Sequence, residues 1–201
     1  STSDWVQKGN RIFDSSSLYS GWCISLDESG DRLAIGSQGN VKIYDYDSES
    51  NTWINIGQIE DTDLIVSTLG DSVKLNDSGN ILIISNPFYT TNTESKTDGY
   101  VSIYKYEDSV WNQLGDSIYG NTDEYLGKGS YDNVITDDNP VDLFPYPKTY
   151  SPNCISVNSD GTRIVLELKE SYGLVRVYEY DETNEEWNQL GNTISAYETT
   201  G

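Results

Sequence analysis

The chain writes one phrase three times. "KIYDYDSESNTWINIGQI" starts at Lys42, "SIYKYEDSVWNQLGDSI" at Ser102 and "RVYEYDETNEEWNQLGNTI" at Arg176. Self-similarity at this period marks a supersecondary unit that cannot bury its faces alone and needs neighbours of its own kind. A second shared stretch precedes each copy: "CISLDESGDRLAIGS", "SVKLNDSGNILIISN" and "CISVNSDGTRIVLEL". Aligned on these, Gly30, Gly79 and Gly161 fall in register, and Cys23, Ser72 and Cys154 stand seven residues before them.

Alternation of apolar and polar residues sets the element type. Ile24 and Leu26 share one face of their stretch, Cys23 and Ser25 the other; Val41/Ile43, Val101/Ile103 and Val175/Val177 repeat the period of two that a strand requires. β-Branched and aromatic residues dominate, as half-buried strands prefer. "DESGD", "NDSGN" and "NSDGT" place Gly where a tight turn needs positive φ, and Asn or Asp where a side chain can close it. Second strands fall at 32–36, 81–85 and 163–168, third strands at 41–46, 101–106 and 175–180, and a fourth is centred on Trp53, Trp111 or Trp187. Each repeat therefore reads as four short strands in an antiparallel meander. The three tryptophans read as packing residues, each contributing about 2–3 kcal/mol or more by burial, with stacking on a ligand as the competing role.

These residues carry a resemblance. "SLDESGDRLAIGS…GNVKIYDYD" and "SVNSDGTRIVLEL…GLVRVYEYD" resemble the S-x-D-G-x-x-L-A-x-G…G-x-V-x-V-Y-x-Y pattern of β-propeller repeats, of both the WD-repeat and the FG-GAP (integrin-α-like) kind. The trailing "WNQLG" resembles the W-x-x-L-G-x-x-I phrase of a further propeller group. The resemblance implies an all-β fold of propeller blades: three full repeats, 21–59, 69–118 and 151–194, within a single propeller-type region, 1–201, plus one extra N-terminal strand. That strand, 4–12, has the phrase of a fourth strand ("DWVQKGNRI") and reads as the outer strand of a preceding blade. The chain departs from the patterns in two ways. The WD dipeptide is replaced by "YDYD", "YKYE" and "YEYD". The integrin-type calcium loop is not intact: Asp27, Glu28 and Asp31 surround Gly30, but the second repeat offers only Asn76, Asp77 and Asn80 and the third only Asn158 and Asp160. Calcium takes six to eight oxygens, so these turns read as turn chemistry, with the first repeat as the candidate calcium site and no other cofactor implied.

Three repeats do not close a ring, since propellers typically have four to eight blades. The last repeat has its own fourth strand, and both ends read as interior positions. The expectation is a segment of a longer propeller, completed by further blades of the same chain or by self-association; an open three-blade stack is the competing arrangement. The tryptophans Trp5, Trp53, Trp111 and Trp187 are 48, 58 and 76 residues apart. The longer spacings hold insertions: "NPFYTTNTESKTDG" in the second repeat, and residues 119–150 before the third. The latter has six acids against two lysines, six aromatics and three of the chain's five prolines. Long loops on a rigid frame are where recognition concentrates. Tyr125, Tyr131, Phe144 and Tyr146 beside Asp137, Asp138 and Asp142 would suit a sugar or a basic peptide; the competing reading is a loop folded back on its blade.

The formal net charge is 12 − 33 = −21. Such a chain repels phosphates, which argues against nucleic acid and anionic membranes as partners. No apolar run approaches a membrane span. With no His, neither a Ser-His-Asp nor a Cys-His set can be built. Cys23 and Cys154 sit on inner strands of non-adjacent blades and read as small buried hydrophobes rather than a disulfide. The functional reading is a non-catalytic binding or scaffolding module, extracellular or on a particle surface, contacting protein or glycan through its loops. Two alternatives stay open: a carbohydrate-active propeller enzyme using Asp or Glu, which needs convergent carboxylates of raised pKa, and a structural subunit of a large assembly such as a virus particle.

Overall fold

Residues 4–13, 20–37, 39–61, 68–87, 89, 99–121, 154–168 and 174–195 are described by the structure, a computed structural model. Every element among them is a strand. The first sheet holds β1 (Cys23–Leu26), β2 (Arg32–Ser37), β3 (Asn40–Asp47) and β4 (Thr52–Glu60), paired in chain order. The second holds β5 (Val73–Leu75), β6 (Ile81–Asn86), β7 (Tyr100–Glu107), β8 (Val110–Gln113) and β9 (Ile118–Tyr119). The third holds β10 (Ile155–Val157), β11 (Arg163–Leu168), β12 (Leu174–Asp181), β13 (Glu186–Gln189) and β14 (Ile194–Ser195). All ladders are antiparallel. We call the three sheets blades 1, 2 and 3.

The first hairpin is built by the same atoms in each blade. The side-chain oxygen of the residue three before the turn glycine accepts the backbone N–H that opens the second strand: Asp27 from Arg32 at 2.9 Å, Asn76 from Ile81 at 2.9 Å, Asn158 from Arg163 at 2.8 Å. The glycine N–H returns to the same residue's carbonyl, and its φ of 69°, 69° or 80° is the left-handed value that costs glycine nothing. Between the third and fourth strands of blade 2, Asp108 and Ser109 both take positive φ (52° and 66°), the geometry of a two-residue primed hairpin.

The core lies between blades rather than within one. Ala34, Val41 and Ile43 of blade 1 pack on Val73, Leu75, Leu82 and Ile84 of blade 2. The opposite face of blade 2, with Ile81, Ile83, Val101 and Ile103, packs on Ile155, Ile164 and Leu166 of blade 3. Blade 2 is thus covered on both sides, and every residue of β6 is buried. This explains its unbroken apolar run, "ILII", where β11 of blade 3 alternates buried and exposed.

The fourth strand, centred on the repeat tryptophan as expected, is irregular in every blade. In blade 1, β4 carries an extra residue at Ile56, since Ile43 pairs with Gly57 but Tyr44 with Asn55. In blades 2 and 3 the strand breaks into two pieces at Leu114–Gly115 and Leu190–Gly191, with Gly115 and Gly191 at φ 70° and 75°. A bulge of this kind turns backbone groups away from their own ladder. The freed carbonyl has a use: Leu114 O in blade 2 accepts the indole N–H of Trp187 in blade 3 at 2.9 Å. Gly115 leaves room for that ring, because a Cβ there would sit 3.2 Å from Trp187 Cδ1.

Residues 4–13 carry no ladder pairing among the described residues, where no preceding blade is present to pair with. They still form the same joint with blade 1. Trp53 Nε1 donates to Lys8 O at 3.0 Å, Trp53 N to Asn10 Oδ1 at 3.0 Å, and a Cβ on Gly9 would lie 2.8 Å from Trp53 Cδ1. Lys8 Nζ pairs with Asp31 and lies 4.6 Å above the Tyr46 ring.

Candidate functional site

Both insertions of blade 2 start from one end of its sheet. The end of β6, the start of β7 and the end of β9 lie side by side there, through the ladder pairs Asn86↔Tyr100 and Tyr100↔Tyr119. Three tyrosines meet at that end. The rings of Tyr89 and Tyr100 are 4.9 Å apart and edge-on at 80°, Tyr100 and Tyr119 are 5.7 Å apart, and Tyr89 and Tyr119 are 6.1 Å apart. These are the separations aromatic pairs prefer. The backbone holds them in place: Tyr89 N donates to Asn86 O at 3.3 Å, Gly99 N to Tyr89 O at 3.1 Å and Gly120 N to Gly99 O at 3.0 Å.

Beneath the rings lies a buried polar set. Asn86 accepts from Thr68 Oγ1 at 2.7 Å and donates to Asp61 Oδ2 at 3.0 Å. Burial pushes the Tyr100 phenol up to about 12, and the Asp61 carboxylate adds to the shift. Burial also raises Tyr104 and Tyr119. All three stay neutral at physiological pH, so each keeps an O–H to donate. Tyr119 is about half exposed, at 53%. The cluster therefore offers a faceted aromatic surface with hydroxyl donors near a carboxylate, and the exposed face of Tyr119 is suited to stacking on a sugar, a proline or a guanidinium.

Sequence reasoning assigned Tyr119 to the long insertion and passed over Tyr89 and Tyr100; the structure makes Tyr119 the last residue of β9. The signal was present in the hairpin logic, since the residue opening β7 and the residue closing the fourth strand must be ladder neighbours. Tyr125, Tyr131, Asp137, Asp138, Asp142, Phe144 and Tyr146, the sequence-based ligand candidates, lie outside the described residues.

Two of the first-turn carboxylates, those of Asp27 and Asp31, are occupied. Asp27 accepts from the backbone N–H of Asp31 and Arg32 and from the Ser29 hydroxyl. Burial alone would raise its pKa, but these donors hold it below the usual carboxylate range. Asp31 pairs with Lys8, and the Glu28 backbone N–H donates to Asp77 O at 3.0 Å. Among the described residues no group of three or more His, Cys, Asp or Glu side chains is placed to hold a metal ion. Asp47, Asp160 and Asp181 are likewise lowered, each first by a side-chain hydrogen bond within its own turn, from Ser50, Thr162 and Asn184 respectively. Glu167 is shifted upward by burial. Cys23 and Cys154 are buried and unbridged, and burial raises both thiols, Cys154 to about 12.

Trp53, Trp111 and Trp187 each pair with the tyrosine opposite on the third strand, at centroid distances of 5.5, 5.1 and 5.1 Å. Gly79 and Gly161 of blades 2 and 3 lie against the preceding blade, where Arg32 and Ile81 approach them; Gly30 faces open space.

No protein-family model matches the sequence, and a search of curated proteins finds no relative. Solved structures do match. Sqt1 of Saccharomyces cerevisiae aligns at a TM-score of 0.52 and 10% identity, covering 92% of this chain and 38% of that one. A putative 6-phosphogluconolactonase of Bacteroides uniformis aligns at a TM-score of 0.50 and 15% identity, covering 86% and 39%. The β-propeller domain of Cps50 (Swd1) from Myceliophteria thermophila aligns at 0.48 and 12% identity, covering 87% and 42%. The fold is that of a partial β-propeller. At these identities the likeness concerns the fold alone, and the chain spans about two fifths of the length of the structures it matches.

Proposed function

We propose that this chain is a non-catalytic binding module that holds a protein partner at the insertion end of blade 2. The Tyr89–Tyr100–Tyr119 cluster carries the reading: three phenol rings packed together at one sheet end, with Tyr119 open to solvent. Interfaces favour tyrosine because it supplies a large contact area and a hydrogen bond at low entropic cost. The net charge of −21 favours a basic or neutral segment as the partner. The long acidic insertion starts directly after this cluster, which brings Tyr125 and the other sequence-predicted contact residues into the same reading. An extracellular or particle-surface setting, a glycan ligand and a calcium ion in the first turn belong to the wider form of the proposal.

The test is binding of the whole chain to arrays of basic and proline-containing peptides and of glycans, with Tyr119→Ala and Tyr89→Ala in parallel. The reading expects peptide binding that weakens about tenfold or more in Tyr119→Ala, with little change in the thermal midpoint. Ligand binding untouched by either substitution would move the site elsewhere. Hydrolysis of an arrayed glycan, abolished by an Asp or Glu substitution, would replace the reading with the enzyme alternative.

A further inference from the structure

Two internal joints, blade 1 to blade 2 and blade 2 to blade 3, share one seat, a glycine of one blade against the tryptophan of the next, to which the second joint adds an indole hydrogen bond, and each end of the described array carries one half of it. The trailing face of blade 3 shows the giving half. Val165 and Ile194 stand where Ile83 and Ile118 are buried at the joint between blades 2 and 3, yet they are 36% and 58% exposed. Arg163 and Glu179 pair at 2.7 Å in the register of Arg32 and Asp45, whose guanidinium lies 4.3 Å above the Tyr106 ring of the next blade. Leu190 and Gly191 repeat Leu114 and Gly115, which hold Trp187, but a Cβ on Gly191 would meet nothing within 4 Å. A groove of about 340 Å³ opens beside them, between residues 179–182 and 188–190.

The leading face of blade 1 shows the receiving half. Ile24 and Leu26 are 63% and 53% exposed where Val73 and Leu75 of blade 2 are buried. Its Tyr46–Trp53 pair is held by the Gln7–Asn10 stretch, "QKGN", and residues 189–192 read "QLGN". The two stretches share local geometry as well: Gln7 Nε2 donates to Gly9 O, and Gln189 Nε2 to Gly191 O, both at 3.0 Å.

We propose that the trailing face of blade 3 docks on the leading face of blade 1 of a second copy, with residues 187–194 of one copy taking the place that residues 5–12 hold against Trp53 in the other. The occupant follows from continuity with the joints already present: the face repeats them in register, and its complement is on the same chain. The contact is head-to-tail, and such contacts either close a ring or propagate. The joint goes beyond the binding role and does not depend on the tyrosine cluster. Because both copies are strongly acidic, added salt strengthens the association.

The test is light scattering and sedimentation of the full chain across a concentration series at low and moderate salt, beside Ile24→Lys and Ile194→Lys. Both side chains are on the surface, and circular dichroism confirms that each variant stays folded. The wild type is expected to associate with rising concentration, and each variant alone to bind about tenfold or more weakly. Mixing the variants in equal amounts restores a one-to-one complex, because Ile24→Lys keeps the blade 3 face and Ile194→Lys keeps the blade 1 face. A wild type that stays monomeric at its highest soluble concentration overturns the proposal. So does a variant that associates as well as the wild type, or a mixture that recovers nothing.

Discussion

At the residue scale, the three repeat tryptophans look interchangeable in sequence but are not equivalent. Trp53 and Trp187 donate their indole N–H to Lys8 O and Leu114 O. Trp111 Nε1 is buried with no hydrogen-bond partner, because β4 of blade 1 passes the joint without the break that blades 2 and 3 use. Arg32 compensates in part: bound to Asp45 through two bonds of 2.6 and 2.7 Å, it lies 4.3 Å from the Tyr106 ring and 5.8 Å from that of Trp111. An unmet buried donor costs about 1–3 kcal/mol. Trp111→Phe should therefore destabilise less than Trp187→Phe, by about 1 kcal/mol, in paired urea titrations. Equal losses would mean the indole bonds contribute nothing. The glycine after the bulge offers a second contrast. Gly57 has no positive φ, but a Cβ there would lie 2.5 Å from Trp111 Cδ1, so Gly57→Ala should cost about 1–3 kcal/mol by overpacking alone. Gly191→Ala meets only its own backbone preference and should cost about 1 kcal/mol.

At the element scale, the four-strand repeat, its hairpin turns and the all-β class were legible in the sequence because strand period and turn chemistry are local. The turn glycines and the Asp or Asn three residues earlier signalled the hairpins for this reason. The break at Leu114–Gly115 was not legible: one extra residue in a strand leaves the alternation on either side intact, and its purpose lies in Trp187, 73 residues away. The tyrosine cluster was missed on similar grounds, since Tyr89 and Tyr119 come together only through the β7 ladder. Nor does alternation reveal which face is covered. Ile24 and Leu26 follow the same pattern as Val73 and Leu75 but stay exposed, because the covering comes from a neighbouring blade. The inner strands β1 and β5 are joined by side chains: Leu75 N donates to Ser25 Oγ at 3.0 Å, and Val73 N to Cys23 Sγ at 3.4 Å. That burial makes stability sensitive to alkali. Cys154 and Tyr100 both reach about 12 when folded, against ordinary values of about 8.5 and 10. For a group whose folded pKa is raised, stability is full below the unfolded value and lost as pH climbs toward the folded one. Unfolding free energy should fall between about pH 8.5 and 12, with Cys154→Ala lessening the slope across that window and Tyr100→Phe lessening it only in the upper part. Asp27 works in the opposite direction: its folded pKa is lowered, so its contribution is lost as pH falls below the ordinary carboxylate range.

At the scale of the whole molecule, stability is a sum over joints rather than the property of one core. Blade 2 shares both its faces, and blades 1 and 3 one each. Native-state hydrogen exchange should therefore find the slowest amides in β6, with β1, β2 and β11 to β14 opening at lower free energy. Uniform protection across the three blades would show instead that the array opens as one unit. The joint also has a consequence for ancestry. Each tryptophan is received not by its own repeat but by a glycine in the stretch before it, Gly9, Gly57 or Gly115, with a carbonyl acceptor as well for Trp53 and Trp187. A recombination event between two such tryptophans moves a whole blade together with one ring and one glycine seat, so every junction left behind still has both. Gene duplication can lengthen or shorten an array of this design without any compensating substitution.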